Sequence, residues 1–464
     1  MIRGGHNFNQ LCILDKKVGS IESKLDGIVA LDEETIKIHK SELKKNGFII
    51  SFKSFPELGR NLNVALAGAL VRVLGIDKKV LVEQVRGELG EEAVKAVESG
   101  CNCEKEKFKL KKLNNKIEIM TGSLGVALGA INSGINIYLA YPMTPATALM
   151  NELAARQLEK GFMVYQPESE IAVVNMALGA SFAGAKVFVG TSGGGYDLMT
   201  EAFSFQGQSE IPLVVYLASR GSNSTGLPTY TGQGDLDAAL RGGHGEYARV
   251  VIAPGDAIEC VEKTNEAFYL SEKFNCLSII LADKHLAESE FSSDRKPNKT
   301  LNVEVKRKVP GEAIVKANSY EHDKFGNTTE SASITAKNAE ERVKKYEEIK
   351  KQVKKFQMIK VYGKKDSKNL IMGWGSNKTV ILDAIEGLDC KFLHVIYMKP
   401  MSDEIKKEIE KAKKVVIIES NVSGLLSRLI REKTGIKINQ RILKYDGRPF
   451  FSDELNAELK KVLR

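Results

Sequence analysis

Short apolar runs alternate with longer amphipathic stretches over most of the chain. Between residues 117 and 285 the runs are NIYLAY, FMVYQ, KVFVG, IPLVVYLAS, ARVVIA and CLSIILA. Each has the length of a buried strand, and the stretches between them have the length and spacing of helices. Alternation of this kind predicts a doubly wound parallel sheet. Ahead of it, LDGIVALD and FIISF read as strands flanking a helix, EETIKIHKSELKKNG, closed by Gly47. NVALAGALVRVLG reads as a helix with small residues on its packing face, and EEAVKAVESG ends another. Residues 286–365 break the rhythm with DRKPNKT, KRKVPG and the charged helix AEERVKKYEEIKKQVKKF, a composition that fits a solvated connecting arm. NLIMGWGS, FLHVIYM, KKVVIIES and GLLSRLIREKTG then resume an α/β pattern. The expected architecture is three α/β domains, at residues 1–115, 116–288 and 366–464, with the arm at 289–365.

One junction is chemically pointed. In NIYLAYPMTPAT, Tyr141 and Thr144 each precede a proline and are pushed toward extended backbone. Pro145 suits the first position of a helix, which makes Thr144 the natural N-cap. The following segment places Leu149, Met150, Leu153 and Ala154 on one face. The unit is strand, stiff turn, helix, and in open α/β sheets ligands bind at such strand ends. A rigid loop with a capping threonine explains the turn taken alone.

Three further loops belong to the same sheet. Glu170 falls in the first turn of a helix starting near Ser169, where a carboxylate answers the helix dipole. TSGGG, which holds Ser192 and Gly193, separates strand KVFVG from helix LMTEAF. Its glycines either let backbone approach a ligand or make a tight turn. LASRGSNSTGLPTYTGQGDL is a long glycine-rich loop starting with Arg220, and long loops in compact domains are usually functional or disordered. An arginine there is otherwise a surface ion-pair partner. Together the four loops bring a turn, a carboxylate, a glycine nest and an arginine to one sheet edge.

Composition narrows the class. The chain has 464 residues, is 43% hydrophobic and 27% charged, and holds no apolar stretch of membrane-spanning length. Its N-terminus, MIRGGHNFNQ, has no apolar signal region. The net charge of +9 is a scattered lysine excess with no nucleic-acid motif beside it. Six cysteines form no CxxC pair or iron–sulfur run, so a reduced cytoplasmic protein without its own metal cluster is expected.

At this point the sequence resembles a known family, the 2-oxoacid:ferredoxin oxidoreductases. YPMTPAT resembles the family's YPITPSS motif, and ESEIAVVNMALGASFAGAKV the segment after it. TSGGGYDLMTEAF is similar to its TSGPGFSLMxE stretch, and SRGSNSTGLPTYTGQGDLDAALRGGHGEYARVVIAP to its arginine loop. MGWGS…VVIIESN…GLL…KYDGRPF is similar to its C-terminal α/β domain, which is transketolase C-terminal-like. IRGGHNFNQ…DGIVALDEET…GRNLNVALAGAL is similar to its γ domain, and NSYEHDKFGNTTE to the arm of its α chain. The resemblance covers nearly the whole chain in a γ–α fused order.

The resemblance implies roles. Residues 116–288 would be the pyrimidine-binding domain for thiamine diphosphate. Glu170 would hydrogen-bond the aminopyrimidine, Pro142 and Thr144 would line the thiazolium and substrate, and Ser192 and Gly193 would contact the cofactor. Arg220 would meet the substrate carboxylate. The chain has no GDG…N segment for Mg²⁺ and thiamine diphosphate and no cysteines for a [4Fe–4S] cluster; both would belong to a β subunit. The implied reaction is oxidative decarboxylation of a 2-oxoacid, 2-oxoglutarate or a broader set, with coenzyme A to acyl-CoA, CO₂ and reduced ferredoxin. Departures accompany the likeness. RGGHN starts at Arg3, so by analogy roughly the first half of the γ domain is absent and a sheet edge is exposed. TGSLGVALGA, TSGGG and IIESNVSGLL also differ from the usual patterns. They leave room for a divergent assembly paralogue, and a transketolase-like thiamine enzyme is the other alternative.

Overall fold

A computed structural model describes residues 6–110, 113, 115–303, 308, 311–313 and 315–464. Arg3, Gly4 and Gly5 of the RGGHN stretch, and most of KRKVPG, lie outside the described residues. The chain divides into two compact units, Met1–Lys116 with Phe451–Glu454, and Ile117–Phe450 with Leu455–Arg464.

The first unit contains β1 (Leu25–Ala30), α1 (Glu33–His39), β2 (Leu43–Ser51), α2 (Leu62–Val73), α3 (Lys78–Leu89) and α4 (Glu91–Cys103). β1 and β2 pair in parallel. The expected helix through Gly47 stops at His39, and LKKNG belongs to β2 instead. Pairing overrides the helix propensity of Leu-Lys-Lys here, because Leu43 pairs with Leu25 and Phe48 with Gly27. Gly27 must lack a side chain: a Cβ would lie 2.0 Å from the Phe48 ring. Gly100 likewise does not end its helix. It sits inside α4 against α2, where a Cβ would meet the Ala65 carbonyl at 1.9 Å.

The second unit begins with β3 (Glu118–Thr121), α5 (Gly122–Asn132), β4 (Ile137–Leu139), α6 (Thr147–Ala154), α7 (Gln157–Lys160) and β5 (Met163–Tyr165). It continues through α8 (Glu170–Phe182), β6 (Val187–Thr191), α9 (Gly193–Ser209), β7 (Leu213–Ser219), α10 (Leu236–Arg241), β8 (Arg249–Ile252), α11 (Ala257–Phe274) and β9 (Leu277–Asp283). Then come α12 (Lys284–Glu288), β10 (Glu290–Ser293), α13 (Ala332–Val353), β11 (Ile359–Gly363), β12 (Asn369–Trp374), α14 (Asn377–Ala384), β13 (Lys391–Val395) and β14 (Tyr397–Lys399). The unit closes with α15 (Glu404–Lys411), β15 (Lys414–Glu419), α16 (Leu425–Thr434), β16 (Gln440–Leu443) and the part of α17 (Ser452–Leu463) from Leu455 on.

Six of these strands form the expected parallel sheet, in the order β8-β9-β7-β6-β4-β5, with β14 antiparallel at the β8 edge. β14 comes from the C-terminal half: FLHVIYM reads as one strand but divides at Ile396, β13 joining the second sheet and β14 the first. The second sheet runs β11-β13-β12-β15-β16, with only β11 antiparallel. Strands such as β7 and β9 are buried along their whole length. Fully covered parallel strands therefore appear as unbroken apolar runs. Among the described residues no helix is long and apolar enough to cross a membrane.

Two polar networks tie the sheets together. Gln233 is fully buried; its amide donates to the Trp374 carbonyl (3.0 Å), and its Oε1 accepts from Asn377 Nδ2 (2.9 Å) and Ser420 N (3.0 Å). Lys378, ahead of β13, reaches across to α11, pairing with Asp256 and with Glu259 Oε1 at 2.5 Å. Against burial, which pushes both up, Lys378 and neighbouring basic groups hold the carboxylates of half-buried Asp256 and fully buried Glu259 below their usual range.

His394 lies in the same layer, fully buried, its Nδ1 3.7 Å from Glu259 Oε2. Burial pushes its pKa down to about 4 from 6.5, against the pull of Glu259. The unfolded chain therefore takes up this proton before the folded one does. The contribution is complete above pH 6.5 and is lost as pH falls toward about 4, by roughly 3 kcal/mol in all. Urea denaturation at pH 7 and pH 5 should show this loss, and His394→Phe should reduce it.

Candidate active site

The site follows from strand order. β4 lies between β5 and β6. From β4 the chain crosses to β5 on one side, whereas from β6 it crosses to β7 on the other. Connections that leave neighbouring strands in opposite directions open a crevice at their carboxyl ends. Bordering that crevice are residues 140–146 after β4 and, after β6, Ser192 with the first turn of α9. The loops after β5 and β7 lead to Glu170 and Arg220.

The turn after β4 differs from expectation. The Thr144–Pro145 peptide is cis, and α6 starts at Thr147 with Ala146 as an N-cap that makes no side-chain bond. The chain satisfies its own amides: Thr147 N bonds Met143 O (3.2 Å), Ala148 N bonds Pro145 O (3.3 Å), and Leu149 N bonds Ala146 O (3.1 Å). Thr144 is thus not the cap, and its hydroxyl is not committed to a helix amide. Leu149 and Leu153 are buried as the periodicity predicts. Pro142 is exposed at the rim.

Glu170 is the first residue of α8, with Ser169 capping the helix by accepting from Ala172 N at 3.3 Å. A carboxylate answering a helix dipole would usually face solvent. Glu170 instead is only 4% exposed, and its Oε1 has no hydrogen-bond partner. Such a buried oxygen is expensive unless something completes it.

The glycine run is not a loop before the helix. Gly193, Gly194 and Gly195 form the first turn of α9 itself, and none has a positive φ. Close packing explains two of them. A Cβ on Gly195 would lie 2.2 Å from Thr191 Oγ1 and 2.8 Å from Glu170 Oε1. A Cβ on Gly193 would lie 2.9 Å from both Asp235 carboxylate oxygens. At Gly194 a Cβ would meet nothing within 4 Å, so this position faces open space. Ser192 is fully buried, and its hydroxyl too is without a partner.

Arg220 is half-buried at the end of β7 and donates from Nη1 to the Thr144 carbonyl at 3.1 Å. It is not the partner of a surface ion pair. Burial lowers its pKa, while the Asp235 charge opposes that shift. The structure therefore links Thr144 to Arg220 directly, and Glu170 to the glycine turn directly. Asp235, which the sequence reading did not single out, stands against Gly193 and within the field of Arg220. Its signal was its place at the far end of the loop that Arg220 begins. Gln233 was also missed, because burial of a loop glutamine has no local signature.

This arrangement can hold an aromatic nitrogen heterocycle against Glu170 and an anion against Arg220. The family model described as "Pyruvate flavodoxin/ferredoxin oxidoreductase, thiamine diP-bdg" matches residues 128–358. The chain is 32% identical to the 2-oxoglutarate synthase subunit KorA of Methanocaldococcus jannaschii, over 75% of this chain and 97% of that one. It is 28% identical to the 2-oxoacid:ferredoxin oxidoreductase subunit alpha of a Sulfolobus species, over all of this chain and 91% of that one. Among solved structures it is similar to a 2-oxoglutarate:ferredoxin oxidoreductase from Magnetococcus marinus with 2-oxoglutarate, coenzyme A and succinyl-CoA bound. That match has a TM-score of 0.87 at 26% identity and covers 97% of this chain and 90% of the other.

The glycine turn makes a paired test. Gly195→Ala forces its new methyl into Thr191 and Glu170 and should destabilise the protein by about 1–3 kcal/mol. Gly194→Ala has room and better helix propensity, so it should be neutral or stabilising by at most about 1 kcal/mol. Thermal denaturation of the two variants checks the difference.

Proposed function

Because the chain belongs to the 2-oxoacid:ferredoxin oxidoreductases, as an alpha subunit, we propose that Glu170, Thr144 and Arg220 are its share of a thiamine diphosphate site. The family reaction is oxidative decarboxylation of a 2-oxoacid with coenzyme A, delivering electrons to ferredoxin. We assign 2-oxoglutarate to this chain's substrate range, since relatives and the solved neighbour carry that acid in their names.

The observation that carries the site assignment is the partnerless carboxylate oxygen of Glu170, buried at a ligand crevice. An aminopyrimidine ring supplies the N–H that would satisfy it, and the buried Ser192 hydroxyl and the open side of Gly194 fit the same ring edge. When bound, thiamine diphosphate supplies a centre that stabilises the carbanion left by decarboxylation. Glu170 holds a proton at the aminopyrimidine nitrogen, away from water. Thr144 offers an uncommitted hydroxyl to the 2-oxo group, and Pro142 forms the rim beside it. Arg220 has one bond to the Thr144 carbonyl, leaving the rest of its guanidinium fork for the substrate carboxylate. The bond between Arg220 and Thr144 fixes the distance between the two substrate-facing groups.

The remaining parts come from elsewhere in this reading. A β subunit contributes the Mg²⁺–diphosphate site and the [4Fe–4S] cluster, and the assembled enzyme works in the cytoplasm. Residues 116–288 form the pyrimidine-binding domain, 289–365 the arm, 366–464 the C-terminal domain and 1–115 a γ-like domain.

Two measurements test the proposal. The chain, pulled from its native extract, should bring down an iron–sulfur partner, and the complex should reduce methyl viologen with coenzyme A and 2-oxoglutarate. Glu170→Gln keeps the shape and should lower kcat by about 10²-fold or more. A complex in which Glu170→Gln retains full kcat overturns the site assignment.

A further inference from the structure

We propose that Arg448, on the turn that follows β16, is a positioning residue for the substrate carboxylate, acting through Tyr230 on Arg220; this rests on the reading of Arg220 given above.

The loop that Arg220 opens closes on itself at once. Leu227 N donates to Gly221 O (2.9 Å), Tyr230 N to Leu227 O (3.1 Å) and Gly221 N to Tyr230 O (3.2 Å). Residues 221–230 are thus a lobe with its neck at Gly221, Leu227 and Tyr230, and Arg220 is the residue that leads into the neck. The tip of the lobe, residues 222–226, is exposed. It is also strained, since Ser222 and Ser224 hold φ at 68° and 54°, in the left-handed region that side chains rarely enter. Backbone of this kind persists only where its surroundings hold it.

The holding contacts come from the end of the second sheet. Gly447 O accepts from Thr231 N at 3.1 Å. Gly447 is buried with φ at 81°, and a Cβ there would lie 3.0 Å from Leu227 Cδ1 and 3.1 Å from Tyr230 Cβ. Beside it the Arg448 guanidinium covers the Tyr230 ring, its carbon 3.6 Å from the ring centroid. The Arg448 backbone is itself fixed, its N donating to Asp446 Oδ1 at 2.9 Å. Arg448 and Tyr230 are both half-buried, where a cation over an aromatic face is worth more than at an open surface.

A continuous set of contacts therefore runs from Arg448 to the Tyr230 ring, from the Tyr230 carbonyl to Gly221 N, and through the chain to Arg220, whose Nη1 bonds the Thr144 carbonyl at 3.1 Å. The first link is made by two side chains and the rest by main chain and by Arg220 itself. With the stack in place, Tyr230 holds its carbonyl toward Gly221 and Arg220 leaves the neck in one direction. Without it, the ring turns, the neck loosens and the guanidinium is spread over several positions. A carboxylate is held by that arginine in the ground state and in the transition state alike, so the loss falls on KM and not on kcat.

The test uses the assembled enzyme with 2-oxoglutarate. Arg448→Ala should raise KM for the acid about fivefold, with kcat within about twofold of wild type and KM for coenzyme A unchanged. Tyr230→Ala should do the same, whereas Tyr230→Phe, which keeps the ring, should keep the wild-type KM. The two alanine substitutions combined should be no worse than either alone, because they remove one contact. Should Arg448→Ala fail to assemble, Tyr230→Ala against Tyr230→Phe makes the same comparison from the other side of the stack. A wild-type KM in Arg448→Ala or in Tyr230→Ala overturns the proposal, and so does a double variant whose effect is the product of the two singles. A variant that lowers kcat and the melting temperature and raises both KM values together also overturns it, since general damage to the turn does that. Failure of the underlying reading is distinct: Arg220→Ala would then keep the wild-type KM, and the proposal falls with it.

Discussion

Everything in the candidate site depends on the position of one strand. β4 has β5 on one side and β6 on the other. The chain must therefore leave the sheet in opposite directions from adjacent strands, and no helix can cover the gap between their carboxyl ends. The turn bearing Thr144 and the helix start bearing Ser192 are the walls of that gap. Neighbouring strands add Glu170 and Arg220. The groups converge because the strand order leaves them one edge to converge on. Closeness is then bought with glycine, since Gly193 and Gly195 admit the Asp235 and Glu170 carboxylates to distances that a methyl group would forbid.

The C-terminal sheet supports this edge from behind. Gln233 lies in the same loop as Arg220 and Asp235, and it bonds Trp374, Asn377 and Ser420 of the second sheet's strand ends. Lys378 reaches the two acids of α11 from the same region. The Gln233 network is buried and satisfied, the condition under which buried polar groups specify one arrangement rather than destabilise it. A long loop that would otherwise be mobile is thereby pinned at Gln233, two residues before Asp235. Precision at the arginine thus rests on bonds made by the second sheet.

Much of this was legible in the sequence, for definite reasons. The six apolar runs are unbroken because parallel strands such as β7 and β9 are covered on both faces. Glu170, Thr144 and Arg220 stood out because each sits where a strand ends. What failed was local rule against tertiary contact. Thr144 and Pro145 satisfied every capping preference, yet residues 143–147 closed their own hydrogen bonds and the helix began later. The glycines of TSGGG looked like a loop and proved to be the first turn of a helix whose neighbours press against it. Gly47 and Gly100 looked like helix terminators and instead lie in a strand and within a helix. FLHVIYM carried no mark of its division between two sheets, since both halves are buried. Asp235 was invisible because what marks it is its place against Gly193, far from it in sequence.

In the proposed assignment this chain carries half of a cofactor site, a buried carboxylate awaiting a ring whose diphosphate is held by another subunit. Equilibrium binding of thiamine diphosphate with Mg²⁺, to the purified chain alone and to its complex with the partner, tests it most directly. The account predicts no saturable binding to the chain alone up to about millimolar cofactor, and tight binding once the partner is added. Tight binding to the isolated chain would contradict it.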